Sequence, residues 1–205
     1  MKDQWYGDNR DLVKWGVLLQ LARLYGASRI VQVAYYRPEA KPEIEIDGTP
    51  YPMPEAVISH FPRDVMDIMR LNSPQAKIEV VNSPFLRREP YMRDVQDALA
   101  KLDSSESPCI IFLDPDTGLE PNNPDLKHVL KSELAQIWNA MRGNDVLVLY
   151  QHKTHEKNWI EPKQKQFESA LGLSNGTAKM AQSKPATDVV FFFAQKRLIG
   201  SAQKT

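Results

Sequence analysis

The chain has 205 residues, 42% of them hydrophobic, with no long apolar run, which suits one domain with a sizeable core. Lysine plus arginine and aspartate plus glutamate balance at 26 each, so a broad electropositive surface is excluded and only a local basic patch remains open. A single cysteine, Cys109, rules out a disulfide framework and a Cys-based zinc site. No stretch approaches the roughly 18 apolar residues of a membrane span, and the opening Met1-Lys2-Asp3-Gln4 leads into no apolar leader. These features predict a soluble, cytoplasmic protein with no membrane partner.

In chain order, Leu12 to Tyr25 has helical spacing, with Leu12, Trp15, Leu19 and Ala22 on one stripe and Leu18 and Leu21 widening it. Asn9 or Asp11 can cap its start, and Gly26 supplies a stop. Ile30 to Tyr36 is the first strand. The segment 37–54 carries five prolines and an Asp47-Gly48 pair after alternating Glu43-Ile44-Glu45-Ile46, which reads as a Pro-rich insertion holding a small hairpin. A helix over Glu55 to Leu71, interrupted by Pro62, follows, then a strand at Lys77–Val81 and a helix at Tyr91–Leu102.

Cys109-Ile110-Ile111-Phe112-Leu113 is a buried strand that runs straight into Asp114-Pro115-Asp116-Thr117-Gly118-Leu119-Glu120. A Pro/Asn-rich loop to Pro124, a helix at Lys131–Met141 and a hydrophobic strand at Asp145–Tyr150 come next. A helix near Trp159–Leu171 and an antiparallel pair, Lys179–Ser183 with Thr187–Phe193, close the chain. Alternating strands and helices predict an α/β fold: a mostly parallel sheet in three layers with a C-terminal antiparallel hairpin.

The candidate chemistry sits at strand ends, where open α/β sheets hold their ligands. Asp114, Asp116 and Glu120 follow the Cys109 strand. Two carboxylates at i, i+2 can share a hard cation such as Mg2+ or Mn2+, or they can simply cap a turn. Tyr150-Gln151-His152-Lys153 follows the neighbouring strand, so Gln151 and His152 are expected beside Asp114. His152 would then be a general base or a ligand, against the alternative of a solvated polar loop. Near the N-terminus, Asp8, Asn9, Asp11 and Lys14 cluster at a helix start, where free N–H groups favour an anion and where ordinary capping also accounts for Asn9 or Asp11. Arg63, Arg87, Arg88 and Arg93 read as a solvated face rather than a phosphate site.

Two motifs carry a family resemblance. Asp114-Pro115-Asp116-Thr117 resembles the Asp-Pro-Pro-Tyr at the fourth strand end of many N-methyltransferases. Gly7-Asp8-Asn9-Arg10-Asp11-Leu12-Val13-Lys14-Trp15 resembles the Gly-Asn-x-x-Asp-Val-x-Lys-His opening of large-subunit rRNA adenine-N6 methyltransferases, with Gly7, Asp11 and Lys14 matching in register. The element order is similar to the class I S-adenosylmethionine methyltransferase fold, a Rossmann-like architecture. The whole chain resembles a bacterial family carrying Asp-Pro-Asp-Asn/Thr-Gly-Leu-Glu and a later Tyr-Gln-His.

The resemblance implies S-adenosylmethionine as cofactor, with Gly7, Asp11 and Lys14 helping to hold it. It implies a nucleic-acid base or related amine as substrate and Asp114 as the acceptor of the target amino group. Two departures stand out: Arg37-Pro38-Glu39 replaces the Gly-rich turn after the first strand, and Asp116-Thr117 replaces Pro-Tyr. A metal-dependent nuclease or phosphohydrolase using Asp114, Asp116 and Glu120, with His152 as base, is the rival reading. A non-catalytic descendant that binds a partner is the third.

Overall fold

The computed structural model describes residues 9–37, 43–54, 56–57, 65–71, 73–102 and 107–197. Its centre is a six-stranded sheet built from β1 (Arg29–Val33), β4 (Lys77–Val81), β5 (Cys109–Leu113), β8 (Val146–His152), β9 (Lys179–Ser183) and β10 (Ala186–Gln195). The strand order is β4-β1-β5-β8-β10-β9. The first four run parallel, and β10 is antiparallel to both β8 and β9. The fold is therefore α/β with a C-terminal antiparallel hairpin.

Strand β5 lies at the centre of the parallel part, and its Cys-Ile-Ile-Phe-Leu run is buried throughout, as a strand covered on both faces requires. Alternate residues feed two cores. Val31, Val33, Ile111, Leu113, Leu147 and Leu149 face the helices α2 (Arg88–Ala100), α3 (Lys131–Ala140) and α4 (Ile160–Ala170). Ile30, Ile110, Phe112, Val146, Val148 and Tyr150 face α1 (Asn9–Tyr25) and the 3-10 helix Val65–Arg70.

Helix α1 stops where glycine can adopt a left-handed turn: Gly26 has φ +63, and the Ala27 N–H donates back to the Ala22 carbonyl at 2.8 Å. The small hairpin is β2 (Glu43–Ile46) with β3 (Thr49–Pro52). Its turn residues Asp47 and Gly48 have φ +50 and +76, the pattern a two-residue turn of primed type demands. At the amino ends of the parallel strands, the buried Asp145 accepts from the Cys109 N–H at 2.8 Å and binds Arg142, tying the start of β5 to the start of β8.

Three expectations need correction. Of the helix expected over 55–71, residues 56–57 are helical and Val65–Arg70 form a six-residue 3-10 helix in place of an α-helix, while 55 and 58–64 lie outside the described residues. The loop after Gly118 contains a short parallel pair, β6 (Gly118–Leu119) with β7 (His128–Val129). The inward stripe of α1 is rotated: Leu12 is 72% exposed, while Asp11 and Lys14 are buried beside Trp15, Leu18, Leu21 and Ala22. Two charged side chains turned into a core need partners: they pair with one another, and the sheet supplies Asp114 to Lys14.

Candidate functional site

The chain leaves β1 for β4 on one side of the sheet and then returns to place β5 on the other. The crevice outside the carboxyl ends of β1 and β5 is thus a topological switch point, the usual ligand position in an open α/β sheet. Pleating decides which side chains reach it from the α1 side. Gln32 follows Ile30, Asp114 follows Phe112, and His152 follows Tyr150, all on the α1 face. The first turns of α1 lie over these ends and lower Asp11 and Lys14 onto them.

Lys14 Nζ lies 2.7 Å from Asp11 Oδ1 and 3.0 Å from Asp114 Oδ2. It also sits 5.0 Å from the centre of the Tyr150 ring, a cation–π contact. Gln32 Nε2 donates to the same Asp114 Oδ2 at 2.8 Å. Asp11, Lys14, Gln32 and Asp114 are all buried. Burial works to deprotonate Lys14, but the carboxylates of Asp114 and Asp11 outweigh it and hold its pKa above the ordinary lysine value. Asp114 Oδ2 is therefore doubly engaged, whereas no donor among the described residues occupies Oδ1.

Around this cluster lie two more ion pairs. Arg37, just beyond β1, pairs with Asp116. Arg10 Nη2 holds Asp188 Oδ2 at 2.6 Å, both side chains being partly exposed, and this hydrogen bond keeps the Asp188 carboxyl below the usual range. The His152 ring stands edge-on to Tyr150 with 4.8 Å between centroids. Desolvation first, then the Arg10 charge, lowers the His152 pKa against the opposing pull of Asp188 and Asp114. A neutral imidazole at the rim of the crevice is the result, a form able to accept a proton.

The Asp-Pro-Asp-Thr-Gly turn is held from the opposite face of the sheet. Gln151 is buried and bonded at both ends of its amide. Its Oε1 accepts from the Leu119 N–H at 2.8 Å, and its Nε2 donates to the carbonyls of Thr117 at 3.1 Å and His152 at 2.7 Å. Gly118, at φ +116, lies flush against this amide, and a Cβ there would overlap it. Glycine is required by both backbone and space. Gln151 thus serves as a clamp on the turn that carries Asp114 and Asp116.

The end of β1 carries no glycine, yet the left-handed turn is present. Tyr35 adopts φ +47 with its ring swallowed by the core, 5.0 Å from the Phe85 ring and 5.4 Å from that of Tyr91. The Tyr35 N–H donates to Tyr91 Oη at 2.8 Å. A bulky residue in this region costs about 1–3 kcal/mol and persists only where its surroundings enforce it.

The structure brings together Asp11, Lys14 and Asp114 as expected, with Asp116 and His152 in the surrounding ring. Gly7 and Asp8 lie outside the described residues. Glu120 follows β6, where its N–H donates to the Val129 carbonyl and its own carbonyl accepts from Lys163 and Gln166. Among the described residues no three His, Cys, Asp or Glu side chains gather to hold a metal ion. The donor set suits Mg2+ or Mn2+ poorly, because Lys14 and Arg37 already neutralise Asp114 and Asp116 and would repel a cation beside them. Gln32 was missed by sequence reasoning, although a polar residue inside Ile30-Val31-Gln32-Val33-Ala34 is the signal that could have found it.

No protein-family model and no curated protein sequence matches the chain. Among solved structures it is similar to a DUF574 family protein from Streptomyces avermitilis MA-4680, with 10% identity over 92% of this chain and 82% of that one and a TM-score of 0.43. Among the described residues no helix is long and apolar enough to cross a membrane.

Two outcomes follow from this geometry. Gly118→Ala combines a left-handed backbone with overlap on Gln151 and should cost about 3 kcal/mol in urea unfolding, whereas Gly176→Ala, with open space at its Cβ, should cost less. The folded state holds His152 below its unfolded pKa, so its contribution is full above about pH 6.5 and is lost as pH falls through the folded value. Unfolding at successive pH values should show this acid loss, and His152→Gln should flatten it; an unchanged slope would count against the assignment.

Proposed function

We propose that the chain is an S-adenosylmethionine-dependent methyltransferase whose target is an amine, such as the exocyclic amino group of a nucleic-acid base. The observation that carries this reading is Asp114, fixed at the β1–β5 switch point with Oδ2 held by Lys14 and Gln32 and with no donor among the described residues on Oδ1. Support also comes from the parallel core with its antiparallel strand beside β8, the arrangement that the methyltransferase resemblance implies.

The residues at the end of β1 fit an adenosyl cofactor in one decisive respect. Close approach to a strand end ordinarily needs glycine, and here Tyr35 makes the left-handed turn while its ring is withdrawn into the core. The backbone of 34–36 and the first turn of α1 with Asp11 would line the cofactor. Lys14 acts on the site through Asp114, to which its ammonium is committed. When bound, S-adenosylmethionine supplies an electrophilic methyl group: the amine nitrogen's lone pair forms the new C–N bond while the C–S electron pair passes to sulfur.

This chain's residues then have defined tasks. Asp114 Oδ1 accepts one N–H of the target amine and so aims the nitrogen lone pair. Gln151 and Gly118 hold the turn on which Asp114 stands. The neutral His152 at the rim accepts the proton the product nitrogen sheds and passes it to solvent.

The test is titration with S-adenosylhomocysteine together with a methyl-transfer assay. The wild-type protein should bind with a micromolar Kd. In the Asp114→Asn variant the amide can turn its oxygen to Lys14 and Gln32, which presents N–H groups where Oδ1 stood. Binding of S-adenosylhomocysteine should persist within about threefold while transfer falls by about 100-fold or more. Folded wild-type protein that shows no binding would overturn the proposal.

A further inference from the structure

We infer that Gln32 sets the substrate specificity of this site, by fixing which oxygen of Asp114 the ligand meets. The inference rests on the methyltransferase reading and extends it to the substrate class. Gln32 is the fourth of the five residues of β1, a central parallel strand, and is fully buried, a position where its neighbours Ile30, Val31, Val33 and Ala34 are apolar. A buried amide in such a place is costly unless its hydrogen bonds are met. Its Nε2 spends one of them on Asp114 Oδ2, the oxygen already held by Lys14.

Lys14 alone would compensate the Asp114 charge. An ammonium on a flexible stem, however, is compatible with rotation of the carboxylate about its own axis. The second donor, coming from a rigid strand at a different angle, removes that freedom. Oδ2 is pinned between α1 and β1, and Oδ1 is the acceptor to which no described residue donates. A carboxylate held in this way reads an N–H donor. An exocyclic amino group meets it with a hydrogen bond, whereas a carbonyl at the same position brings one acceptor against another. The site therefore selects amino-bearing bases over their oxo counterparts, and Gln32 is the positioning residue behind that choice.

The experiment measures methyl transfer from labelled S-adenosylmethionine to poly(A), poly(C), poly(I) and poly(U), using wild-type protein, Gln32→Leu and Gln32→Glu. Thermal unfolding of each is followed under the same conditions. Wild-type protein should transfer to at least one amino polymer and about 100-fold less, or not at all, to both oxo polymers. Gln32→Leu suits an apolar strand and should stay folded, with selectivity reduced by about tenfold as Asp114 gains rotational freedom.

Gln32→Glu supplies the readout that a purely structural role would not move. At about pH 8 two adjoining carboxylates repel and transfer should be lost; near pH 5.5 the pair holds a proton, the new carboxyl donates to Oδ2, and transfer should return to within about threefold of wild type at that pH. Wild-type selectivity in folded Gln32→Leu would overturn the inference and leave the methyltransferase reading intact. A folded Gln32→Glu variant that shows no recovery on acidification would overturn it as well. Wild-type protein that transfers to none of the four polymers also overturns it, and S-adenosylhomocysteine binding then decides whether the underlying reading survives.

Discussion

The burial of one ammonium group organises this molecule. Lys14 lies between Asp11 and Asp114 with almost no exposure, and its position dictates how α1 sits on the sheet. Coulomb attraction strengthens out of water, but so does the penalty for an unpaired charge. Removing either partner of a buried pair typically costs about 3–5 kcal/mol, so helix and strand end are locked together. Trp15 reinforces the lock one residue on, packing edge to face on Phe112 at 6.2 Å between centroids. The helix is thereby held at the switch point, where open α/β sheets ordinarily bind their ligands.

Such a cluster is an expensive way to dock a helix, because an apolar pair of similar volume would serve stability at least as well. Its retention makes sense if the carboxylate has another task. The neighbourhood shows the same choice repeatedly. Tyr35 is forced into a left-handed conformation, and Gln32 brings an amide into an apolar strand. Gln151 adds a side-chain amide beneath Gly118 to the backbone bond from the His152 N–H to the Thr117 carbonyl. Each departs from what the local sequence prefers, and all four features meet at the carboxyl ends of β1, β5 and β8. Strain and buried polarity that converge on a single crevice are the physical signature of a site.

The sequence makes the framework legible for simple reasons. Apolar runs such as Cys109–Leu113 admit only a buried strand, and Asp47-Gly48 between alternating residues admits only a tight hairpin turn. The Asp-Pro-Asp turn at a strand end points to Asp114 before any coordinates. What escaped notice depends on long-range partners. The phase of α1 differs from the sequence pattern at Leu12, whose spacing suits a core residue; burial of Lys14 in its place depends on Asp114, a hundred residues away. The left-handed turn at Tyr35 is invisible in sequence because it is imposed by Phe85 and Tyr91. Metal-ligand spacing in Asp114, Asp116 and Glu120 was real as a pattern, yet the cations of Lys14 and Arg37 claim the first two.

A double-mutant cycle on Lys14 and Asp114 tests the central claim most directly. Urea unfolding of Lys14→Met, Asp114→Leu and the double variant gives the interaction energy without reference to any ligand. The account predicts strong coupling, on the order of 2 kcal/mol or more, with the double variant far more stable than the summed single losses imply. Additive effects within about 0.5 kcal/mol would mean that the ammonium and the carboxylate do not depend on one another, and would contradict it.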